Sequence, residues 1–167
     1  MNHVIGSMRI WTLALALGMV AAPVHAQDFG ALIQGGAVIA GAPGVAGTIV
    51  GTLEHRGFLA RAGGPAVGTG KSADWEESTR AVASTLGVGL IGRSTTGPRP
   101  YGLIVAGSGL DWRENDHFRS VGAVCGIENL RGRLSGEVRY ERWIQHGPLH
   151  VRLPKHAVGA HLGLRLF

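Results

Sequence analysis

The sequence predicts an all-β domain, an eight-stranded antiparallel up-and-down β-barrel, and three observations carry that expectation. Gly is abundant, 28 of 167 residues, and past residue 26 no stretch has the spacing of an amphipathic helix. Successive segments instead alternate apolar and polar residues with period two, as a chain does when neighbouring side chains point to opposite sides. The links between those segments alternate in length, tight on one side and longer on the other.

The chain opens on a processing signal. Arg9 precedes the apolar run Ile10 to Ala22, and Pro23-Val24-His25-Ala26 supplies small residues where a signal peptidase reads, so cleavage after Ala26 is expected. The run is about a dozen residues, short of the roughly 20 that a membrane helix needs. Met8 stands directly before Arg9, so translation from Met1 or from Met8 gives the same mature chain. Residues 27–167 then form one domain of ordinary size.

Eight strands are expected in order. The first lies near 29–40. The second, 45–55, separates Val45, Ile49 and Leu53 from Thr48, Thr52 and Glu54, and a short third lies near 57–66. The fourth, 79–92, sets Val82, Leu86, Val88 and Leu90 opposite Ala81, Ala83, Thr85, Gly87 and Gly89; the fifth is 100–112. In 118–128, Val121, Ala123, Cys125 and Ile127 oppose Ser120, Gly122, Gly126 and Glu128. The seventh strand, 132–143, is the plainest: Arg133, Ser135, Glu137, Arg139 and Glu141 share one face, and Leu134, Gly136, Val138 and Tyr140 the other. The last, 157–167, alternates Val158, Ala160, Leu162, Leu164 and Leu166 with Gly159, His161, Gly163 and Arg165. Between strands, 95–98 and 129–131 read as tight turns, and 67–78, 113–117 and 144–156 as longer polar loops. The Gly63-Gly64-Pro65 run also reads as a turn, with no helix or Lys-Ser/Thr pair after it to make a phosphate loop.

The apolar faces are mostly Val, Leu, Ala and Gly, whereas a dry core packed to crystal density asks for larger interlocking side chains. Trp112, Phe118 and Trp143 fall at strand ends beside the long loops, and Phe58, Tyr101 and Phe167 beside the short ones. Such placement suggests two interfacial aromatic belts, with Tyr101, Trp112, Phe118, Trp143 and Phe167 at headgroup level. The opposite faces carry Glu54, Glu128, Arg133, Glu137, Arg139, Glu141 and Arg165, charges of both signs that can pair across strands inside a cylinder just wide enough for side chains. An unpaired charge facing lipid near mid-bilayer would cost about 2–4 kcal/mol, so these residues are expected inward or at a rim. Arg80 and Arg142, of outward parity, sit near strand ends where they can snorkel.

Composition bounds the partners. Removing Arg9 from the 16 basic residues leaves 15 against 11 acidic ones, a balance of +4. With only Lys71 and Lys155 and no basic cluster, nucleic acid is not expected as a partner, while anionic lipid suits the same excess. The single Cys125, among small apolar neighbours, gives no disulfide framework and no lipid attachment site.

With its signal peptide, strands of about ten residues, alternating links and terminal Phe167, the mature chain resembles the small eight-stranded outer-membrane barrels of Gram-negative bacteria. The resemblance is architectural, spans nearly all of residues 27–167, and its one motif-like element is the end of the chain. It implies an outer-membrane location, contact with outer-membrane lipid or lipopolysaccharide, and delivery by the barrel insertion machinery. One departure stands out: Phe167 has the parity of Arg165 and His161, whereas in such barrels the last aromatic shares the lipid-facing side.

Some barrels of this kind act on lipid A, using His and Ser two residues apart on one face. The nearest arrangement here, His117-Phe118-Arg119-Ser120, puts the two on opposite faces, so no catalytic residue is expected. His146, His150 and His156 are spaced too widely for a structural metal site, and no metal or other cofactor is expected. Two readings follow: a monomeric outer-membrane barrel with a closed polar lumen and a structural or surface-interaction role, not a pore, or a soluble periplasmic or secreted β-barrel that binds a small apolar ligand.

Overall fold

A computed structural model of the chain describes residues 28–40, 42–71, 78–94, 97–111, 116–129, 133–146 and 156–167. The expected signal peptide, 1–26, lies outside the described residues. Eight strands follow one another: β1 (Asp28–Ala40), β2 (Ala42–His55), β3 (Phe58–Lys71), β4 (Ser78–Ile91), β5 (Arg99–Asp111), β6 (Asp116–Asn129), β7 (Leu134–His146) and β8 (His156–Arg165). Each pairs antiparallel with its sequence neighbour, and β8 returns to β1, closing the sheet in sequential order. The predicted all-β eight-stranded barrel is therefore the fold.

Local chemistry explains the turns and irregularities. Arg56 and Gly57 join β2 to β3 with positive φ at both residues (51° and 89°), the backbone that continues the twist of paired strands across a two-residue hairpin. The Gly63-Gly64-Pro65 run is not a turn. It lies inside β3, where the register slips against both neighbours, between Gly63 and Ala66 on the β4 side. Pro lacks the N–H a ladder needs, so it is accommodated at a bulge, and beyond the bulge β3 continues to Lys71.

That continuation changes the loops. Lys71 pairs with Ser78, so only 72–77 remain of the loop expected over 67–78. Likewise β6 starts at Asp116 and β7 runs to His146, trimming 113–117 and 144–156. At one rim the connections are residue 41 and stretches 72–77, 112–115 and 147–155; at the rim where β1 begins and β8 ends they are 56–57, 92–98 and 130–133. The expected contrast of long and short rims is thus weaker than predicted, because paired backbone extends into sequences whose polarity reads as loop.

The register fixes the shape. Following paired residues around the wall from Ile39 leads through Val158, Tyr140, Ala123, Ile104, Val88, Ala60 and Leu53 to Phe29, ten residues lower on the strand of origin. With a rise of about 3.3 Å per residue and strands about 4.8 Å apart, that stagger tilts the strands by about 41° and gives a cylinder of about 8 Å radius. Side chains fill an interior of that width.

Candidate functional site: the ion-paired lumen and the apolar wall

Alternation sorts every strand into an inward and an outward side. On β7, Ser135 and Glu137 are buried, and Glu137 is 7% exposed, whereas Val138 on the other side is 58% exposed. On β8, His161 is buried and Leu164 is 49% exposed. The barrel thus hides its polar side and displays its apolar side.

The lumen is built in tiers. At the rim where β1 begins and β8 ends, Arg99 makes a two-pronged contact with Glu54, Nη1 to Oε1 and Nη2 to Oε2, both 2.8 Å. The same Nη2 reaches Glu128 at 3.3 Å, and Arg165 donates to the other oxygen of Glu128 at 2.6 Å. Four residues from β2, β5, β6 and β8 therefore form one alternating chain of charge across this end. Arg165 Nε also donates to the backbone carbonyl of Phe167, 3.2 Å away.

Above this lies Glu137, whose Oε2 accepts from Gln34 at 3.0 Å, Arg61 at 2.9 Å and Tyr101 at 2.8 Å. His161 Nδ1 stands 3.8 Å from the other oxygen, too far for a hydrogen bond. The Arg61 guanidinium also sits 4.1 Å from the centre of the Tyr101 ring. On β7, Arg139 Nε approaches Glu141 to 2.7 Å, out of hydrogen-bond alignment, so that contact is Coulombic. Trp143 donates to Glu141 at 3.2 Å and stacks on Phe118, centroids 4.9 Å apart.

Glycines make room for these groups. A Cβ on Gly126 would collide with the Tyr101 ring, and one on Gly109 with the Phe118 ring. Leu59, Ile91, Tyr101, Leu103, Val105 and Val124 form an apolar cluster along the β3–β6 side. A cavity of about 20 Å³ remains between that cluster and Gln34, Arg61, Glu137 and Arg139, space for about one water molecule.

Several expected positions need correction. Tyr101, 5% exposed, and Phe118, 2% exposed, point into the lumen, as does the half-buried Trp143, so none of the three is an interface aromatic. Parity already carried that information: Trp143 shares the side of Arg139 and Glu141, and Phe118 that of Ser120 and Glu128. Trp112 lies outside the described residues. Phe167 is 73% exposed; it stands two residues past the end of β8, where the alternation no longer binds its side chain, while its carbonyl accepts from Ala31 N at 3.3 Å.

Of the expected lumen charges, Glu54, Glu128, Glu137, Arg139, Glu141 and Arg165 lie inside. Arg133 does not. It occupies the turn before β7 with φ 54° and is exposed, because the chain leaves extended geometry there. Sequence reasoning missed Gln34, Arg61 and Arg99, although Gln34 shares parity with Leu32 and Arg61 with Leu59, two of the best buried side chains. His117 faces out and Ser120 in. Among the loop histidines, His156 opens β8 and shares a 2.8 Å hydrogen bond with the Tyr140 hydroxyl, while His150 lies outside the described residues.

The outward wall is as uniform as the lumen is mixed. Between the rims its polar described side chains are Ser84, Ser108 and the Tyr140 hydroxyl; the rest are apolar, with Ile104 at 74% and Leu162 at 75% exposed. Projected along the tilted strands, the outward Phe29 and Phe58 and the exposed Phe167 fall within about 2 Å of one level. Arg119, Arg142 and His156 fall within about 3 Å of another, about 25 Å higher. Every carboxylate with a described side chain lies on the inward side.

Comparison with known proteins finds no family model that matches this chain and no curated protein that matches it. The class that fold and lumen define is a closed, eight-stranded antiparallel β-barrel.

Proposed function

We propose that this chain is a monomeric outer-membrane β-barrel with a closed polar lumen, serving a structural or surface-interaction role rather than acting as a pore or an enzyme. The observation that carries the reading is the outward apolar band, bounded below by phenylalanines and above by arginines and histidine. Its height of about 25 Å is that of the lipid-facing band of outer-membrane barrels. A barrel in water gains nothing from exposing Ile33, Ile49, Leu86, Val88, Ile104 and Leu162 together, since large contiguous apolar patches drive association.

The Glu54–Arg99–Glu128–Arg165 chain across one end and the Phe118–Trp143 stack toward the other support the closed-lumen reading. The alternative, a soluble barrel with an apolar ligand inside, gains no support from a cavity of about 20 Å³ lined in part by Arg61, Glu137 and Arg139. On this reading outer-membrane lipid or lipopolysaccharide surrounds the wall, the barrel insertion machinery delivers the chain, and any surface partner meets the loops within 72–77, 112–115 and 147–155.

The test is folding of the mature chain into phosphatidylcholine vesicles. The chain is expected to float with the vesicles, to run at different gel positions before and after boiling, and to give no conductance steps in a planar bilayer. A chain that stays dissolved without detergent and runs at one position overturns the reading.

A further inference from the structure

The outward wall has one feature that the closed-barrel reading leaves unused. Arg119 on β6, Arg142 on β7 and His156 on β8 are all exposed on the apolar side. Arg142 pairs directly with His156, and Val121 pairs with Arg142, which puts Arg119 diagonally across from Arg142. Directly opposed side chains have Cβ atoms about 5 Å apart and diagonal ones about 7–8 Å. Two guanidinium groups and an imidazole therefore share one small area, with His117 one outward position beyond Arg119.

Among the described residues the area has no counter-charge. Glu141, the nearest acidic neighbour along β7, points inward, where it takes Arg139 and Trp143. No ion pair engages Arg119 or Arg142 among the described residues. The neighbours on the same side are Val121, Tyr140, Ile144 and Val158. Tyr140 stacks against His156, ring centroids 5.9 Å apart, and shares a hydrogen bond with its Nδ1, which fixes the ring and leaves Nε2 without a partner among the described residues.

Level supplies the second argument. The three basic groups stand about 25 Å above the Phe29–Phe58–Phe167 level, at the upper edge of the apolar band. There an arginine costs little, about 0–1 kcal/mol against about 2–4 at mid-bilayer, and the phosphates of a lipid leaflet lie within its reach.

We propose that Arg119, Arg142 and His156 form a docking site for the phosphate-monoester headgroup of an anionic lipid, whose acyl chains lie along Val121, Tyr140 and Val158. This rests on the membrane reading. A phosphate monoester carries a charge of about −1.5 to −2 and three acceptor oxygens. Two arginines at this spacing can each offer a forked pair of N–H donors, and His156, in the tautomer whose Nδ1 accepts from the Tyr140 hydroxyl, a further donor at Nε2, so charge and donor count both match. A zwitterionic headgroup matches less well, because its ammonium brings positive charge to a site that already holds two.

The experiment is native mass spectrometry of the folded mature barrel released from detergent micelles that contain phosphatidic acid and phosphatidylcholine with the same acyl chains. The wild type should retain phosphatidic acid over phosphatidylcholine. R119A/R142A should lose that preference by about five-fold for each arginine removed, and R119K/R142K, which keeps charge but not the fork, should lose part of it. R56A/R133A, at the opposite rim, should match the wild type. Inorganic phosphate should not displace the lipid; displacement would assign the site to free phosphate and overturn the proposal. Equal retention of both lipids by the wild type, which requires no variant to fold, also overturns it, as does unchanged preference in R119A/R142A. A barrel that inserts into phosphatidylcholine vesicles without headgroup preference sinks this proposal alone, whereas a chain that never enters a bilayer sinks the membrane reading with it.

Discussion

Arg61 and Tyr101 converge on one atom: both donate to Oε2 of Glu137, at 2.9 and 2.8 Å, while the guanidinium lies 4.1 Å from the centre of the phenol ring. They come from β3 and β5, and Glu137 from β7, so three non-adjacent strands are tied across the barrel through a single carboxylate. Gln34 on β1 adds a fourth.

Removing that carboxylate should be costly. Glu137→Gln leaves the buried Arg61 without a compensating charge and is expected to destabilise the barrel by about 3–5 kcal/mol, with Tyr101→Phe losing about 1 kcal/mol. Urea unfolding of barrels folded in vesicles measures both. A paired replacement, Arg61→Met with Glu137→Leu, should recover most of the loss, since the burden comes from the stranded charge rather than from the missing contact.

Two glycines of one strand type should respond oppositely to the same methyl group. Gly109→Ala pushes into the Phe118 ring, which is pinned by its stack on Trp143, and is expected to cost about 1–3 kcal/mol. Gly136→Ala points outward, with Leu162 Cδ2 at 3.8 Å as its nearest neighbour, and should leave the unfolding midpoint unchanged or raised.

A charge placed on the wall should report depth. Ile104→Arg, near the middle of the band, is expected to lower bilayer folding stability by about 2–4 kcal/mol, and Ile39→Arg, at its upper edge, by about 0–1 kcal/mol. Equal, small effects at both positions would mean that water bathes the whole wall.

Cys125 is exposed on the outward side of β6, two residues from Ala123, close to the middle of the same band. A charged thiol reagent should label it in the unfolded chain and not in the vesicle-folded barrel. A fluorophore attached there before folding should be quenched by lipids brominated deep in their acyl chains more than by those brominated near the headgroup.

How much of this was legible in sequence depends on the strand. On β7 strict alternation of charged and apolar residues assigned both sides correctly, because period two and polarity agree at nearly every position. On β5 both sides are apolar, Leu103 and Val105 inward against Ile104 and Ala106 outward, so polarity alone could not tell which side Tyr101 takes. The interfacial reading of Tyr101, Phe118 and Trp143 came from their distance to loops. Position along a strand sets depth, but parity sets side, and for Phe118 and Trp143 parity was available. Loop lengths misled for another reason: backbone pairing does not require apolar residues, so Thr69, Gly70 and Lys71 continue β3 despite reading as loop. The lumen tiers themselves needed the register, since Glu54, Arg99, Glu128 and Arg165 are far apart in sequence and meet only once strand order and stagger are fixed.

The seam between β1 and β8 has a temporal meaning. Ile39 pairs with Val158 and Leu32 with Arg165, so the first strand finds its second neighbour only in the eighth. Until β8 is in place, β1 has a bare edge and Glu128 lacks Arg165; contacts this distant in sequence also form slowly. The cylinder therefore cannot close until all eight strands have been made, and it forms in one late act that joins the first strand to the last.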